Sequence, residues 1–385
     1  MQPEPFEIHI GDDVLDDLHR RLDATRWPDE LPGTGWDYGS NMDYMKELVD
    51  YWRNDFDWRA QERLINSFSH FKAPVGGLGI HFIHERGQGP NPMPLVITHG
   101  WPGTFFEMHK IIPLLVDPAS HGGDPGDSFD VVAPSLPGFG FSDHATVRGM
   151  EVAKTAALWD ELMTGVLDYP RFAAHGGDIG AGVTSRLGRG HAGSLIGIHL
   201  TSVTRPIPYL GDGSQELSDA EKTHMREREE WQNAEGGYAH IQGTKPQTLA
   251  YGLNDSPVGL AAWIVEKYRS WSDCEGDVER RFSKDELLTT VTLYWATESI
   301  SSSTRMYKEN QRYTWTMERD EKIDVPTGVA AFPAEISRPP REWAERSYDL
   351  RRWTPMPSGG HFAALEEPQL LAEDIRAFFR PFRNA

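Results

Sequence analysis

Two sets of apolar residues recur at helical spacing near the start of the chain: Leu15, Leu18 and Leu22, then Met45, Leu48, Val49 and Trp52. Asp12 and Asp13 fall in the first turn of the first predicted helix, where acidic side chains favour a helix N-terminus. The pattern therefore predicts that residues 1–75 form a helical N-terminal extension that wraps over the rest of the protein.

From residue 80 onward, short apolar runs alternate with helical patterns. Strands are predicted at 80–84, 95–98, 129–133, 172–175, 195–200 and 325–332. The first helix in this region is predicted to begin with a capping box, Thr104-x-x-Glu107. Strands that alternate with helices predict an α/β fold with a mostly parallel central sheet and helices on both faces.

The strand signal is lost over residues 206–322. Two further capping boxes, Ser218-x-x-Glu221 and Ser283-x-x-Glu286, introduce helical patterns there. We therefore expect a helical lid at 206–322, inserted into an α/β core formed by 76–205 and 323–385. A last helix is expected near 370–379.

Composition narrows the class of protein. The 385 residues carry a formal net charge of −20, which argues against nucleic acid or an anionic membrane as a partner. A single cysteine, Cys274, excludes an intramolecular disulfide and a cysteine-rich metal site. The N-terminus has no basic or apolar leader, and no apolar run approaches the roughly 18 residues that span a bilayer. A cytoplasmic location is the expectation.

The most informative motif is a glycine-flanked aspartate, Gly176-Gly177-Asp178-Ile179-Gly180, between a predicted strand and a predicted helix. This arrangement is typical of a nucleophile elbow, G-x-Nu-x-G, in which small residues allow a sharp turn that exposes the nucleophile. A carboxylate nucleophile selects substrates with a displaceable group on saturated carbon, such as an epoxide or an alkyl halide. A plain glycine-rich turn is the alternative interpretation.

A second loop, His99-Gly100-Trp101-Pro102-Gly103, follows the predicted strand at 95–98. In elbow-containing hydrolases a loop at this place supplies one backbone N–H of the oxyanion hole, and the residue after the nucleophile supplies the other. The two donors would be the backbone N–H groups of Trp101 and Ile179, which would stabilise a tetrahedral intermediate.

An ester on Asp178 must be hydrolysed, so a general base is needed, and histidine suits this role near neutral pH. His361 lies in a glycine-rich loop before the last predicted helix, where the order nucleophile, acid, histidine places the base. Glu335, just past the strand at 325–332, is the candidate that orients it. Asp324 and Asp349 fit that position less well.

Opening an epoxide also calls for a neutral donor to the departing oxygen, and a tyrosine hydroxyl suits this role. Spacing alone does not select among the lid tyrosines: Tyr238, Tyr251, Tyr268, Tyr294, Tyr307 and Tyr313.

Taken with these motifs, the chain resembles the microsomal-type epoxide hydrolases, which include juvenile hormone and fungal members. The resemblance covers nearly the whole chain. It is carried by five groups of segments: Trp52 and 57–59 with 79–84, the loop 99–103, the elbow 176–178, the lid runs 241–248 and 255–264, and the motifs 332–335 and 359–364. It implies an α/β-hydrolase fold and an enzyme that needs neither a metal nor an organic cofactor.

The resemblance also implies residue roles. Asp178 is similar to the family's nucleophile, His361 to its base and Glu335 to the partner of that base. Tyr238 and Tyr307 are similar to its two donors to the epoxide oxygen. Many relatives carry tryptophan after the nucleophile, whereas this chain has Ile179, which keeps the backbone N–H but changes the pocket floor.

The sequence leaves two alternatives: a haloalkane dehalogenase-like hydrolase, and a catalytically silent binding protein of the same fold. Ile179 has no side-chain donor for a halide, which counts against the first. An intact set of Asp178, His361 and Glu335 counts against the second. The expected partner is a small epoxide, bulky or aromatic, as in detoxification or secondary metabolism. Oligomeric state stays open, although a homodimer is the commonest closed assembly.

Overall fold

A single nine-stranded sheet organises the molecule, and the computed structural model describes residues 2–313 and 315–383. The strand order is β1-β2-β3-β5-β4-β6-β7-β8-β9. The strands are β1 Glu4–Pro5, β2 His70–Val75, β3 Leu78–Glu85, β4 Met93–Thr98, β5 Phe129–Pro134, β6 Phe172–Gly176, β7 Leu195–Leu200, β8 Ile323–Ala331 and β9 Tyr348–Pro355. Strands β4 to β9 run parallel, and β1 to β3 join them as antiparallel strands. The predicted α/β fold is therefore confirmed.

All six predicted strands are present, and three others were not predicted. β2 contains Pro74, which argues against a strand in a sequence pattern. β9 carries three charged residues, Asp349, Arg351 and Arg352, at the outer edge of the sheet, so it has no apolar alternation to detect. Both strands form because a neighbouring strand pairs with them.

Fifteen α-helices lie in the described part of the chain: α1 Asp12–Asp23, α2 Met42–Asn54, α3 Trp58–Ile65, α4 Ile111–Val116, α5 Val152–Asp160, α6 Asp178–Gly190, α7 Asp219–Glu235, α8 Gly237–Thr244, α9 Pro246–Asp255, α10 Pro257–Trp271, α11 Lys284–Ala296, α12 Ile300–Arg312, α13 Arg341–Glu345, α14 Ala363–Glu366 and α15 Pro368–Phe379. A π-helical turn, Glu161–Val166, continues α5.

The first 75 residues hold α1 to α3, as the apolar spacing predicts, together with strands β1 and β2. Helices α7 to α12 occupy the interval predicted as a lid. The two regions contact each other, since Tyr51 Oη donates to Asp285 over 2.9 Å and Ser40 Oγ donates to the Ala262 carbonyl over 2.7 Å. Residue 1, residue 314 and residues 384–385, which belong to the predicted segments, lie outside the described residues.

Two of the three predicted capping boxes are confirmed. Ser218 with Glu221 and Ser283 with Glu286 make both reciprocal bonds at the starts of α7 and α11. The box at Thr104 was wrong. A 3₁₀ helix, Phe105–Met108, begins there, and Thr104 Oγ1 accepts from the Phe106 N–H. Because a 3₁₀ turn is tighter than an α-helical turn, the Thr104 side chain caps the N–H two residues later instead of three. The Glu107 carboxylate lies against Gly103 instead.

The sheet separates two apolar clusters, one on each face. One face packs against α5, α6 and the lid helices, and the other against α4 and α15. β4 and β6 lie side by side in parallel register, with Thr98 opposite Gly176. Because both strands end at the same edge, the loops that follow them emerge together, and the site is built there.

Candidate active site

Asp178 occupies a strained turn at the end of β6. Its φ of +48° lies in the left-handed region, which is rare for residues other than glycine. The flanking glycines are required by space: a Cβ on Gly176 would lie 2.3 Å from the Gly180 carbonyl oxygen, and one on Gly180 would lie 2.0 Å from that of Thr98. The structure thus has the geometry of a nucleophile elbow, as the motif predicts.

The carboxylate of Asp178 points at the loop after β4. The Trp101 N–H donates to Asp178 Oδ1 over 2.8 Å, and the Ile179 N–H also acts on this carboxylate. A Cβ on Gly100 would lie 2.4 Å from Asp178 Oδ1, so the loop can approach only with glycine there. The carboxylate therefore lies at the pair of N–H groups predicted as the oxyanion hole, with Oδ1 on the N–H of Trp101.

His361 and Glu335 form a buried pair beside the nucleophile. His361 Nδ1 lies 2.6 Å from Glu335 Oε1, and both side chains are only 3% exposed. The alternative acids are elsewhere, since Asp324 is exposed on β8 and Asp349 pairs with Arg351. Among the three candidates that the sequence offered, the structure brings Glu335 to His361.

His361 also faces Asp178, with Nε2 3.7 Å from Oδ2. Burial lowers the pKa of His361, but the negative charges of Glu335 and Asp178 outweigh burial and raise this pKa to about 9. Burial raises the pKa of Asp178 above its ordinary value, against the opposing effects of His361 and the two backbone N–H groups. The two oxygens of Asp178 thus differ, because Oδ1 is held by backbone and Oδ2 faces the imidazole.

Tyr238 and Tyr307 meet above the nucleophile. Their rings lie 5.8 Å apart, and each packs against Trp101, at 5.5 and 5.8 Å between ring centroids. Burial raises the pKa of both hydroxyls, and the charge of Asp178 raises it further, so both stay neutral donors at physiological pH.

The other lid tyrosines lie elsewhere. Tyr251 and Tyr313 are 75% and 54% exposed, Tyr268 stacks on Phe362, and Tyr294 Oη donates to the Gly103 carbonyl. Of the candidate lid tyrosines, Tyr238 and Tyr307 are the two whose rings pack on Trp101, and their roles stay a prediction.

Sequence reasoning missed two residues that border this site. Trp271 packs against His361 and Tyr238, with ring centroids 5.1 and 4.9 Å apart, and its carbonyl accepts from the His361 N–H over 2.9 Å. Nothing in the sequence distinguishes it from the other tryptophans of the core.

Glu107 is the second such residue. Its carboxylate covers Gly103, where a Cβ would lie 2.1 Å from Glu107 Oε2. Burial raises the pKa of Glu107 to about 8; the charge of His361 opposes this shift, and that of Asp178 adds to it. The sequence pattern did not reveal Glu107 as a site residue, because a glutamate three residues after a threonine is readily assigned to a capping box.

Among residues 2–313 and 315–383, no group of three or more His, Cys, Asp or Glu side chains is arranged to hold a metal ion. Within the same part of the chain, no helix is both long enough and apolar enough to cross a membrane.

Two family models match the chain. The one described as "Epoxide hydrolase N terminus" covers residues 3–108, and the one described as "Alpha/beta hydrolase family" covers residues 95–374. The Epoxide hydrolase 1 of Oryctolagus cuniculus is 41% identical over 402 residues, which span 97% of this chain and 88% of that protein.

Solved structures agree with these matches. The juvenile hormone epoxide hydrolase of the silkworm Bombyx mori superposes with a TM-score of 0.87 and 29% identity, covering 99% of this chain and 95% of that one. An epoxide hydrolase of Aspergillus niger gives a TM-score of 0.86 and 30% identity, covering 99% of this chain and 97% of that one.

Proposed function

The chain belongs to the epoxide hydrolase family of α/β-hydrolase fold, and we propose that it converts an epoxide to a vicinal diol through an ester on Asp178. One observation carries the mechanism. Asp178 Oδ1 accepts from the Trp101 N–H over 2.8 Å, whereas Oδ2 lies 3.7 Å from His361 Nε2. The carboxylate thus has one held oxygen and one oxygen available to attack.

In the first step, Oδ2 attacks one epoxide carbon and forms a C–O bond while the bond from that carbon to the epoxide oxygen breaks. The epoxide oxygen takes the electron pair and a proton from Tyr238 or Tyr307. The proposal is supported by the position of both rings against Trp101 and by their raised pKa values, which keep the hydroxyls protonated until the alkoxide forms. An alkoxide is more basic than a tyrosinate, so this proton transfer is favourable.

In the second step, His361 takes a proton from water as the water oxygen attacks the ester carbonyl carbon. The carbonyl oxygen is Oδ1, which the Trp101 N–H already contacts, and the Ile179 N–H also acts on this carboxylate, so donors are in place for the developing charge. Collapse of the tetrahedral intermediate breaks the bond between the carbonyl carbon and Oδ2. The diol leaves with Oδ2 and the proton from His361. Asp178 now carries the second hydrogen of the water as a carboxylic acid, and transfer of this proton to the tyrosinate left by the first step restores the Asp178 carboxylate and the neutral tyrosine.

Esterification also prepares the base. In the free enzyme the negative charge of Asp178 helps to raise the pKa of His361 to about 9, at which the imidazole is protonated at neutral pH. An ester carries no charge, so formation of the intermediate removes this contribution and lowers the pKa of His361. Glu335 holds the ring through Nδ1, which leaves Nε2 facing the water.

The substrate that we propose is a bulky or aromatic epoxide. Four aromatic side chains, those of Trp101, Tyr238, Trp271 and Tyr307, pack on one another around Asp178. Such walls favour apolar, flat substrates over small polar ones. Neither alternative function, dehalogenation or binding without catalysis, gains support from an additional feature of the site.

Styrene oxide hydrolysis by the Asp178→Asn variant tests the proposal. Asparagine tolerates the left-handed backbone at this position and has nearly the same shape. The wild-type enzyme should form the diol, and the variant should lose at least about a thousandfold in kcat, as expected when a covalent nucleophile is removed. Retention of more than a tenth of the wild-type kcat, with mass spectrometry showing intact asparagine, would exclude Asp178 as the nucleophile.

A further inference from the structure

A cleft of about 480 Å³ lies beside α12, and Tyr307 is not among the α12 residues that line it. Four segments line it: the loop between β5 and α5, the end of α8, the start of α9, and one face of α12. We call it the lid cleft. Its volume falls in the range of small-molecule sites, about 300–1,000 Å³. None of the proposed catalytic side chains lines the lid cleft.

The lid cleft is positively charged in a strongly acidic protein. Five of its lining residues are cationic and one is acidic, a local balance of +4, whereas the whole chain carries −20. The cationic residues are Arg148, Lys245, Arg305, Lys308 and Arg312. A solvated surface of this protein would be expected to show the opposite sign, so the clustering favours an anionic ligand.

Most of this positive charge is uncompensated within the protein. The one acid, Glu309, accepts from the Gly149 N–H over 2.9 Å and lies 3.5 Å from Arg312. Lys308 donates to the Thr244 carbonyl over 3.0 Å. In the described part of the chain, Arg148, Lys245 and Arg305 make no ion pair within 4 Å, in contrast to Arg312. Lys245 and Arg305 are exposed and available to a ligand.

The floor of the lid cleft is apolar. Its lining includes Val147, which is 75% exposed, and Met150, which is half-buried, while Met306, Pro137 and Pro246 are buried in its wall. An inorganic anion would leave Val147 and Met150 in contact with water. A molecule with an anionic end and an apolar body would instead cover the floor and pair with the cationic rim.

We propose that the lid cleft binds an amphiphilic anion, a carboxylate or phosphate group carried on a short hydrocarbon chain. The charged group contacts Lys245 and Arg305, and the chain lies on Val147 and Met150, beside Met306 in the wall of the cleft. This inference is independent of the mechanism at Asp178. Binding would also touch α12, whose next residue after Met306 is Tyr307.

Methyl NMR of protein labelled with [¹³C-methyl]methionine tests the proposal, with octanoate and octyl phosphate as probes. The signals of Met150 and Met306, assigned by Met→Leu variants, should shift saturably with at least one probe. Met225, which is 42% exposed on α7, reports adventitious adsorption and should not shift. The probe with the lower dissociation constant identifies the preferred headgroup. 1-Octanol, which has the chain without the charge, should bind about tenfold more weakly or worse.

The double variant Lys245→Gln/Arg305→Gln should raise the dissociation constant of the preferred probe about tenfold or more. Its matched control is Lys154→Gln/Arg63→Gln, which removes the same charge from exposed residues elsewhere and should bind like wild type. Both variants should keep the wild-type kcat/KM on styrene oxide, which separates this site from the active site. Equal affinity in the two double variants, equal binding of octanol, or no saturable shift of Met150 and Met306 would overturn the proposal.

Discussion

The two oxygens of Asp178 have different surroundings, and this difference determines what each can do. Oδ1 is fixed by the Trp101 N–H at 2.8 Å, and Oδ2 faces His361 Nε2 at 3.7 Å. The gap of 3.7 Å is too long for a hydrogen bond, so the histidine does not lock the attacking oxygen. The same histidine is close enough to act on a water placed at the ester in the second step.

His361→Gln should stop the cycle after the first step. Glutamine cannot accept a proton from water, but Oδ2 and the tyrosine donors remain, so the ester should form and persist. Mass spectrometry of the peptide that contains Asp178 should show an added mass equal to that of the epoxide. Glu335→Gln is a useful companion, because it weakens the same base and should give partial accumulation. An unmodified peptide together with wild-type turnover would contradict the role of His361.

Glu107→Gln should change the pH dependence of stability. The folded pKa of Glu107 is about 8 against an ordinary 4.5, so the folded protein keeps a proton that the unfolded chain releases. Glu107 should therefore make wild-type stability decline as pH rises from about 4.5 to about 8, and the variant should lack this part of the decline. Thermal unfolding at pH 5 and pH 9 measures the difference.

The two proteins should unfold at similar temperatures near pH 5, with the variant the more stable at pH 9. The exposed Glu7 provides the control, and Glu7→Gln should follow the wild-type curve. A Glu107→Gln curve parallel to wild type across this range would show that Glu107 is not held protonated.

At the scale of elements, the site depends on the junction of β4, β6 and α6. Gly180, on the first turn of α6, allows the helix to approach the end of β4, where a Cβ would lie 2.0 Å from the Thr98 carbonyl oxygen. Gly182 lies two residues further along α6, and a Cβ there would lie 3.4 Å from Val152 Cγ1, an ordinary contact distance. Helix α6 therefore contains one glycine, Gly180, at which any side chain would clash, and a second, Gly182, at which alanine fits.

Gly180→Ala should destabilise the protein by roughly 2–3 kcal/mol, because the clash is with backbone that cannot rotate away. Gly182→Ala should be neutral or stabilising by up to about 1 kcal/mol, since alanine favours a helix over glycine. Urea denaturation of both variants compares them directly. Equal free energies of unfolding for the two would show that the close approach at the elbow is not a constraint.

The elements that sequence predicted are those with a strong local pattern. The buried parallel strands and the lid helices with capping boxes fall in this group, because apolar runs and caps are local signals. β9 was missed since its charged residues pair with β8 only in the folded sheet. The box at Thr104 failed because a 3₁₀ turn satisfied the N–H groups by another route.

The residues of the site divide in the same way. Asp178, His361 and Glu335 could be proposed because backbone motifs and chain order constrain them. The tyrosines could not be chosen from spacing, because their selection depends on which lid side chains reach Trp101. Trp271 and Glu107 could not be found at all, since each becomes part of the site only through packing between distant segments.

At the scale of the whole molecule, two regions supply the reaction centre and a third contacts one of them. The sheet supplies Asp178, Glu335 and His361, the lid supplies Tyr238 and Tyr307, and the N-terminal segment contacts the lid through Tyr51 and Ser40. The central claim is that the epoxide is hydrolysed through a covalent ester on Asp178, and not by direct attack of water on the epoxide.

A single-turnover reaction in ¹⁸O-labelled water tests this claim most directly. Enzyme in molar excess over styrene oxide is mixed in H₂¹⁸O, and the diol is analysed by mass spectrometry. Because the added diol oxygen comes from Asp178 Oδ2, the first-turnover diol should be unlabelled and ¹⁸O should appear in the Asp178 peptide. A diol that carries ¹⁸O from its first turnover, with an unlabelled Asp178 peptide, would contradict the covalent mechanism.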